Sequence, residues 1–226
     1  VRPELLERDP SNLWLARQNR FRLEAESIRD AALRVGGLLN PRVAGPPIRP
    51  PLPADIAALG YANSVKWKES DGAEQYRRGL YIFFQRTVPY PMLTTFDAPD
   101  SNVTCTRRER SNTPLQALTL WNDATFFECA RELAKRMANS SRSDLKGKIR
   151  NGVELCLGRA PTIPEQQRLE RLYQDYLRLA QTQPMAATTM VGRLPGSDTK
   201  GTNRGLDSLV SRSEIGSRET SVSSQE

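Results

Sequence analysis

The sequence predicts a mainly α-helical fold: an irregular helical bundle with a short strand-like element near residues 79–86 and a disordered C-terminal tail. Three observations carry this. Apolar residues recur at helical spacing through 23–35, 115–137 and 145–179. Helix start signals of the Thr-x-x-Gln/Glu kind open two of these stretches, and Gly closes others. The β-branched and aromatic run Leu80–Phe84 is short, and Pro89 and Pro91 stop it.

Taken in order, Asp9-Pro10-Ser11 is a turn and a helix-start signal. Leu13, Trp14 and Ala16 begin a first helix, and Leu23, Ile28, Ala31, Ala32 and Val35 continue it to a C-cap at Gly36-Gly37. Residues 40–60 hold Pro41, Pro46, Pro47, Pro50, Pro51 and Pro53. Each lacks a backbone donor and has a fixed φ, so the segment is expected to be an extended surface connector rather than a buried element. Leu80–Phe84 suits a buried strand or a helical turn of the same length. Thr113-Pro114-Leu115-Gln116 is a capping box with Pro at the first helical position. Leu115, Leu118, Thr119 and Trp121 form one face of the helix that follows. Asp123 caps the next helix, whose stripe is Phe126, Phe127, Ala130, Leu133, Ala134 and Met137. Ser143 or Asp144 opens another, ended by Gly158, and Thr162-Ile163-Pro164-Glu165 opens the last, giving a compact αα-hairpin across GRAPT. The helical domain is thus expected to span 1–183. Residues 184–226 are rich in Ser, Thr and Gly and contain no aromatic residue, so they bury too little apolar surface to offset ordering entropy.

Composition excludes several chemistries. The chain has no His, which removes Ser-His-Asp and Cys-His sites and His-ligated haem. Cys105, Cys129 and Cys156 are too scattered for a zinc site or a disulfide framework. Cys129 and Cys156 fall in helical patterns as small buried hydrophobes, whereas Cys105 lies in a polar loop. No metal site and no cofactor of this chain is expected. Mean hydropathy is −0.58, and no apolar run reaches transmembrane length. The net charge of +7 arises mainly in residues 101–183. Glu109 interrupts the tightest basic group, Arg107, Arg108 and Arg110, so a solvated or salt-bridged face fits better than a nucleic-acid footprint. The chain opens without Met and reads as a piece of a longer protein.

A candidate site falls on loop 97–112 and the helix break at 122–123. Asp97, Asp100 and Asn102 supply oxygen ligands or acid–base groups. Arg107, Arg108 and Arg110 supply forked donors for carboxylate, sulfate or sugar hydroxyls. Asn112, Asn122 and Asp123 lie at helix ends. A structural role competes with this: the same acids cap turns and helices, and the arginines pair with neighbouring acids. No residue is assigned a catalytic role. Tyr81, Phe83, Phe84, Tyr90 and Phe96 form either core packing, the favoured reading, or a sugar-stacking platform.

The stretches PELLERDPSN (3–12), RFRLEAESIRD (20–30), YRRGLYIFFQRTVPYPMLTTFDAPD (76–100), CTRRERSNTPLQALTLWND (105–123) and LGRAPTIPEQ (157–166) resemble the planctomycete domain of unknown function 1553 family. The resemblance runs from about residue 4 to 199. It implies the C-terminal domain of a large exported protein, periplasmic or extracellular, often with a cytochrome c-like domain elsewhere in the parent, and association with redox or polymer-degrading systems. Haem, on this resemblance, belongs to that other part. The end of the chain, GLDSLVSRSEIGSRETSVSSQE (205–226), departs from the family pattern of a Trp-bearing apolar helix, and a frameshift or premature end is the expected cause.

The sequence therefore predicts a non-catalytic structural or interaction domain whose partners are the upstream domains of its parent. A carbohydrate- or polymer-binding module, or a polymer-active one, with polysaccharide as partner, is the alternative. A docking domain for a cytochrome c-like redox partner is a further one. Nucleic acid is not an expected partner.

Overall fold

The computed structural model describes residues 3–18, 21–53, 56, 67–86, 88–100 and 102–191. Among them are the helices α1 (Pro3–Arg8), α2 (Ala25–Gly36), α3 (Pro91–Thr95), α4 (Pro114–Asn122), α5 (Ala124–Ala138), α6 (Leu145–Leu157), α7 (Ile163–Thr182) and α8 (Pro184–Val191). Two 3-10 turns, Gly72–Tyr76 and Gly79–Tyr81, precede α3. The chain forms two compact units, one ending at Gln174 and the other beginning at Asp175, inside α7.

The predicted mainly α fold is what the chain adopts, and its helix ends follow local chemistry. Thr113 and Gln116 form the reciprocal capping box of α4. Asp123 accepts from Thr125 N and Phe126 N (2.9 and 3.3 Å) and starts α5. Asp144 caps α6, and Gly158, at φ 66°, ends it. Thr162 and Glu165 make the box that opens α7: Thr162 N donates to Glu165 Oε2 (2.8 Å) and Glu165 N to Thr162 Oγ1 (3.4 Å). Each such cap contributes about 1 kcal/mol.

Other expectations are corrected. The helix expected from residue 13 begins only at Ala25. Asp9 caps a turn instead, accepting from Leu13 N and Trp14 N (2.8 and 2.9 Å), with Asn12 and Leu15 at positive φ. The strand-like element is shorter than a strand. Ile82 forms an isolated parallel bridge with Ile48, through Ile48 N to Tyr81 O and Phe83 N to Ile48 O, both 2.7 Å. The two helices around GRAPT are joined as expected but not tightly. Gln166 Nε2 reaches Lys146 O (3.3 Å), while a groove of about 480 Å3 opens beside them. Cys156 is exposed, as is Cys105; Cys129 is buried, and all three are free. The segment expected to be disordered from 184 begins with a helix, α8, where Pro184 sits at the helix start and Ala186 and Ala187 favour it. The rest of that expectation, including the frameshift, lies outside the described residues.

The core of the first unit gathers Ala25, Ile48, Leu52, Ile82, Tyr90, Met92, Leu93, Phe96 and Phe126. Its helical framework is α2 packed on α5. Gly36 permits the approach: a Cβ there would lie 3.1 Å from the Cys129 carbonyl oxygen. Gly79 does the same for the 3-10 turn on α2, where a Cβ would fall 2.9 Å from Glu26 Cα.

The Pro-rich segment is not merely a surface connector. Ile48, Pro50 and Leu52 are buried, and a buried arginine, Arg77, itself held by a second, Arg29, ties the segment down. Arg29 of α2 donates to the carbonyls of Gln75 and Arg77, both at 2.6 Å. Arg77 in turn donates to the carbonyls of Pro46 (2.9 Å) and Ala44, with its guanidinium 4.1 Å from the Tyr81 ring centroid. Prolines leave carbonyls without a sheet or helix partner, and charged donors supply one. Residues 54–55 and 57–60 of the segment lie outside the described residues.

Candidate functional site

The residues expected to form one site separate into four places. The first centres on Asp97, just after α3, in the left-handed region at φ 60°. Asp and Asn tolerate that conformation better than most residues. Its carboxylate accepts from Ser111 N (2.8 Å), Ser111 Oγ (2.8 Å), Gln116 Nε2 (3.3 Å) and Arg22 Nη2 (2.6 Å). The Ser111 backbone donor, the Ser111 hydroxyl, the Arg22 charge and Gln116 hold it below the ordinary carboxylate range, against the opposing effect of burial. Gln116 is itself buried and also donates to Thr95 O (3.0 Å). Arg22 continues to Ser111 O (2.9 Å) and lies 5.8 Å from the Phe96 ring centroid. These bonds tie loop 97–112 to residue 22 and α4.

The second place joins the loop arginines to the start of α2. Arg108 makes a fork to Glu26 (2.8 and 3.1 Å) and reaches Glu24 (2.5 Å), and Arg110 reaches Glu24 (3.1 Å). Hydrogen bonding to Arg110 lowers the Glu24 carboxyl, and hydrogen bonding to Glu26 raises the Arg108 guanidinium. Acidic residues at a helix start are favoured by its dipole as well. Arg107 is exposed and pairs with none of the described acids. Asn112 is likewise exposed beside the capping box.

The third place is the helix break. Asp123 is consumed as the α5 cap, and Asn122 Nδ2 donates back to Leu118 O (3.1 Å). The outward face of α4 is apolar: Leu115, Leu118 and Trp121 are 59%, 57% and 77% exposed. The sequence marked this face by hydropathy, yet the buried side of α4 carries Gln116.

The fourth place is a cleft of about 320 Å3 beside the 97–102 loop, in which Asp100 and Asn102 do lie together. Phe84, 45% exposed, and Arg86 share its lining with Tyr90 and Leu93. Of the five aromatics, Tyr90 and Phe96 are core, Tyr81 packs against it, and Phe83 is half-buried against Trp67 and Arg49, while Phe84 is exposed.

Sequence reasoning missed Arg22, Glu24, Glu26, Ser111 and Gln116, the partners that satisfy the loop, and Phe84 with Arg86 as a pair. The charged residues at alternate positions, Arg22, Glu24 and Glu26, were the available signal. Among the described residues, no group of three or more Cys, Asp or Glu side chains is placed to hold a metal ion. None of their helices is long and apolar enough to cross a membrane.

A family model described as PSD1, protein of unknown function (DUF1553), matches residues 1–173. No curated protein and no solved structure matches.

Proposed function

Because the chain belongs to the DUF1553 family, whose description assigns no activity, we propose from its own geometry that it is a non-catalytic interaction domain of a larger exported protein. The observation that carries this is the apolar face of α4. Leu115, Leu118 and Trp121 stand outward on a helix whose start is fixed by a capping box and whose inner side is fixed by Gln116. A capped helix presenting two leucines and a Trp one turn apart along one face is a preorganised hot-spot surface. Burying each of these side chains contributes about 1.5–3 kcal/mol. Arg108, Arg110 and Asp97 support the reading in another way, because their charges are already matched within the domain. The partner is the remainder of the parent polypeptide.

The test is titration of the separately expressed remainder of the parent into this chain, followed calorimetrically. Saturable binding that Trp121→Ala weakens at least tenfold supports the proposal. Absence of binding, or binding that is indifferent to Trp121→Ala and Leu118→Ala, overturns it.

A further inference from the structure

The cleft between Phe84 and the 97–102 loop has a composition that the interaction reading does not use. Its floor is apolar, formed by Tyr90 and Leu93, both buried. The floor is backed by Trp67, stacked on Tyr90 at 6.0 Å between ring centroids. Phe84 stands in the wall with nearly half its surface open. The rim is a short ordered relay. Arg86 Nε donates to Asn102 Oδ1 (3.2 Å), and Asn102 donates through Nδ2 (2.8 Å) and backbone N (3.0 Å) to Asp100 Oδ1. The relay therefore fixes one oxygen of Asp100 and one nitrogen of Arg86. The second Asp100 oxygen remains as an acceptor, and the Arg86 terminal nitrogens remain as donors, each without a hydrogen-bond partner among the described residues.

These features select a ligand class. A half-exposed aromatic ring beside an apolar floor suits the C–H face of a saturated ring or another flat apolar surface. Adjacent acceptor and donor sites, one anionic and one cationic, suit vicinal hydroxyls, which both donate and accept. A strongly anionic ligand gains from Arg86 but is opposed by Asp100, and a cationic one meets the converse. The volume, about 320 Å3, is at the lower end of small-ligand sites. We infer that this cleft binds a neutral carbohydrate, with Phe84 as the stacking platform and Asp100, Asn102 and Arg86 as the hydroxyl-reading rim. The groove near Arg142, Lys146 and Glu170 is larger, but it has no aromatic ring in its lining and carries no such pattern.

The experiment is affinity electrophoresis of the full 226-residue chain in gels containing soluble neutral polysaccharides (hydroxyethylcellulose, xylan, galactomannan, laminarin), with polygalacturonate and dextran sulfate as anionic comparisons. Retardation by at least one neutral polymer is expected. Phe84→Ala should weaken it about tenfold, equivalent to about 1.4 kcal/mol, and Asp100→Asn should weaken it without altering the circular dichroism spectrum. Both positions are at the surface, and the isosteric Asp100→Asn variant keeps the test sound if Phe84→Ala perturbs folding. Three results overturn the inference: no retardation by any neutral polymer, retardation that neither variant changes, or retardation by the anionic polymers alone. Trp121→Ala should leave retardation unchanged, so failure here and failure of the interaction proposal are read separately.

Discussion

Replacing Asp97 by Asn isolates the charge at the centre of the loop hub. Asn tolerates the φ of 60° that position 97 adopts, and it keeps one carbonyl oxygen for the Ser111 backbone donor. What is lost is the ion pair to Arg22 at 2.6 Å and the charge that strengthens the bonds from Ser111 and Gln116. A hydrogen bond to a charged group contributes about 1.5–3 kcal/mol. The Asp97 side chain is 25% exposed, which places the expected loss at the low end, about 1.5 kcal/mol. For a chain of this size that lowers Tm by about 3–6 °C. The charge contribution also has a defined pH dependence. The folded Asp97 carboxyl lies below its unfolded value of about 3.9, so it stabilises fully above that value and loses the contribution as pH falls through the folded value. Urea denaturation followed by circular dichroism, with wild type and Asp97→Asn compared at pH 7 and at successively lower pH, reads both effects. A difference below about 0.5 kcal/mol at pH 7, or one that stays constant below the ordinary carboxylate range, would refute the assignment of Asp97 as an ionised hub.

Two further predictions concern the contact between α2 and α5. Gly36→Ala should destabilise the fold by about 1–3 kcal/mol in the same urea assay, because the new methyl would meet Cys129 backbone rather than a movable side chain. Under native conditions Ellman's reagent should modify Cys105 and Cys156 promptly and Cys129 only on unfolding, since Cys129 is buried and burial pushes its thiol up to about 11.

The helix starts and stops of the fold were legible because their causes are local. Thr113 with Gln116, Thr162 with Glu165, Asp123, Asp144, Gly37 and Gly158 act within a few residues of themselves. The beginning of α2 was less legible, because the periodicity of Leu13 and Trp14 is indistinguishable from that of a helix. Only the Asp9 side chain, competing for the same backbone donors, decides for a turn there. Arg29 and Arg77 defeat reading by composition, since an arginine's burial depends on where distant carbonyls arrive. The same reason divided the candidate site. Asp97 meets Arg22 across 75 positions and Arg108 meets Glu24 across 84, and neither separation carries a sequence signature. Asp100 and Asn102 came together as expected because they are two residues apart.

The arginine relay through Arg29 and Arg77 has a consequence for the order of assembly. The carbonyls that Arg77 holds, Ala44 and Pro46, precede it in the chain by about thirty residues, while Arg77's own carbonyl is held by Arg29. The proline segment can be clasped in this way only once Arg77 is present. As the polypeptide emerges from the ribosome, the segment is made early and locked late, so the domain closes backwards along its own sequence. Proline stiffness lowers the entropic cost of that clasp, because a segment already extended has less conformational freedom to give up when Arg77 arrives.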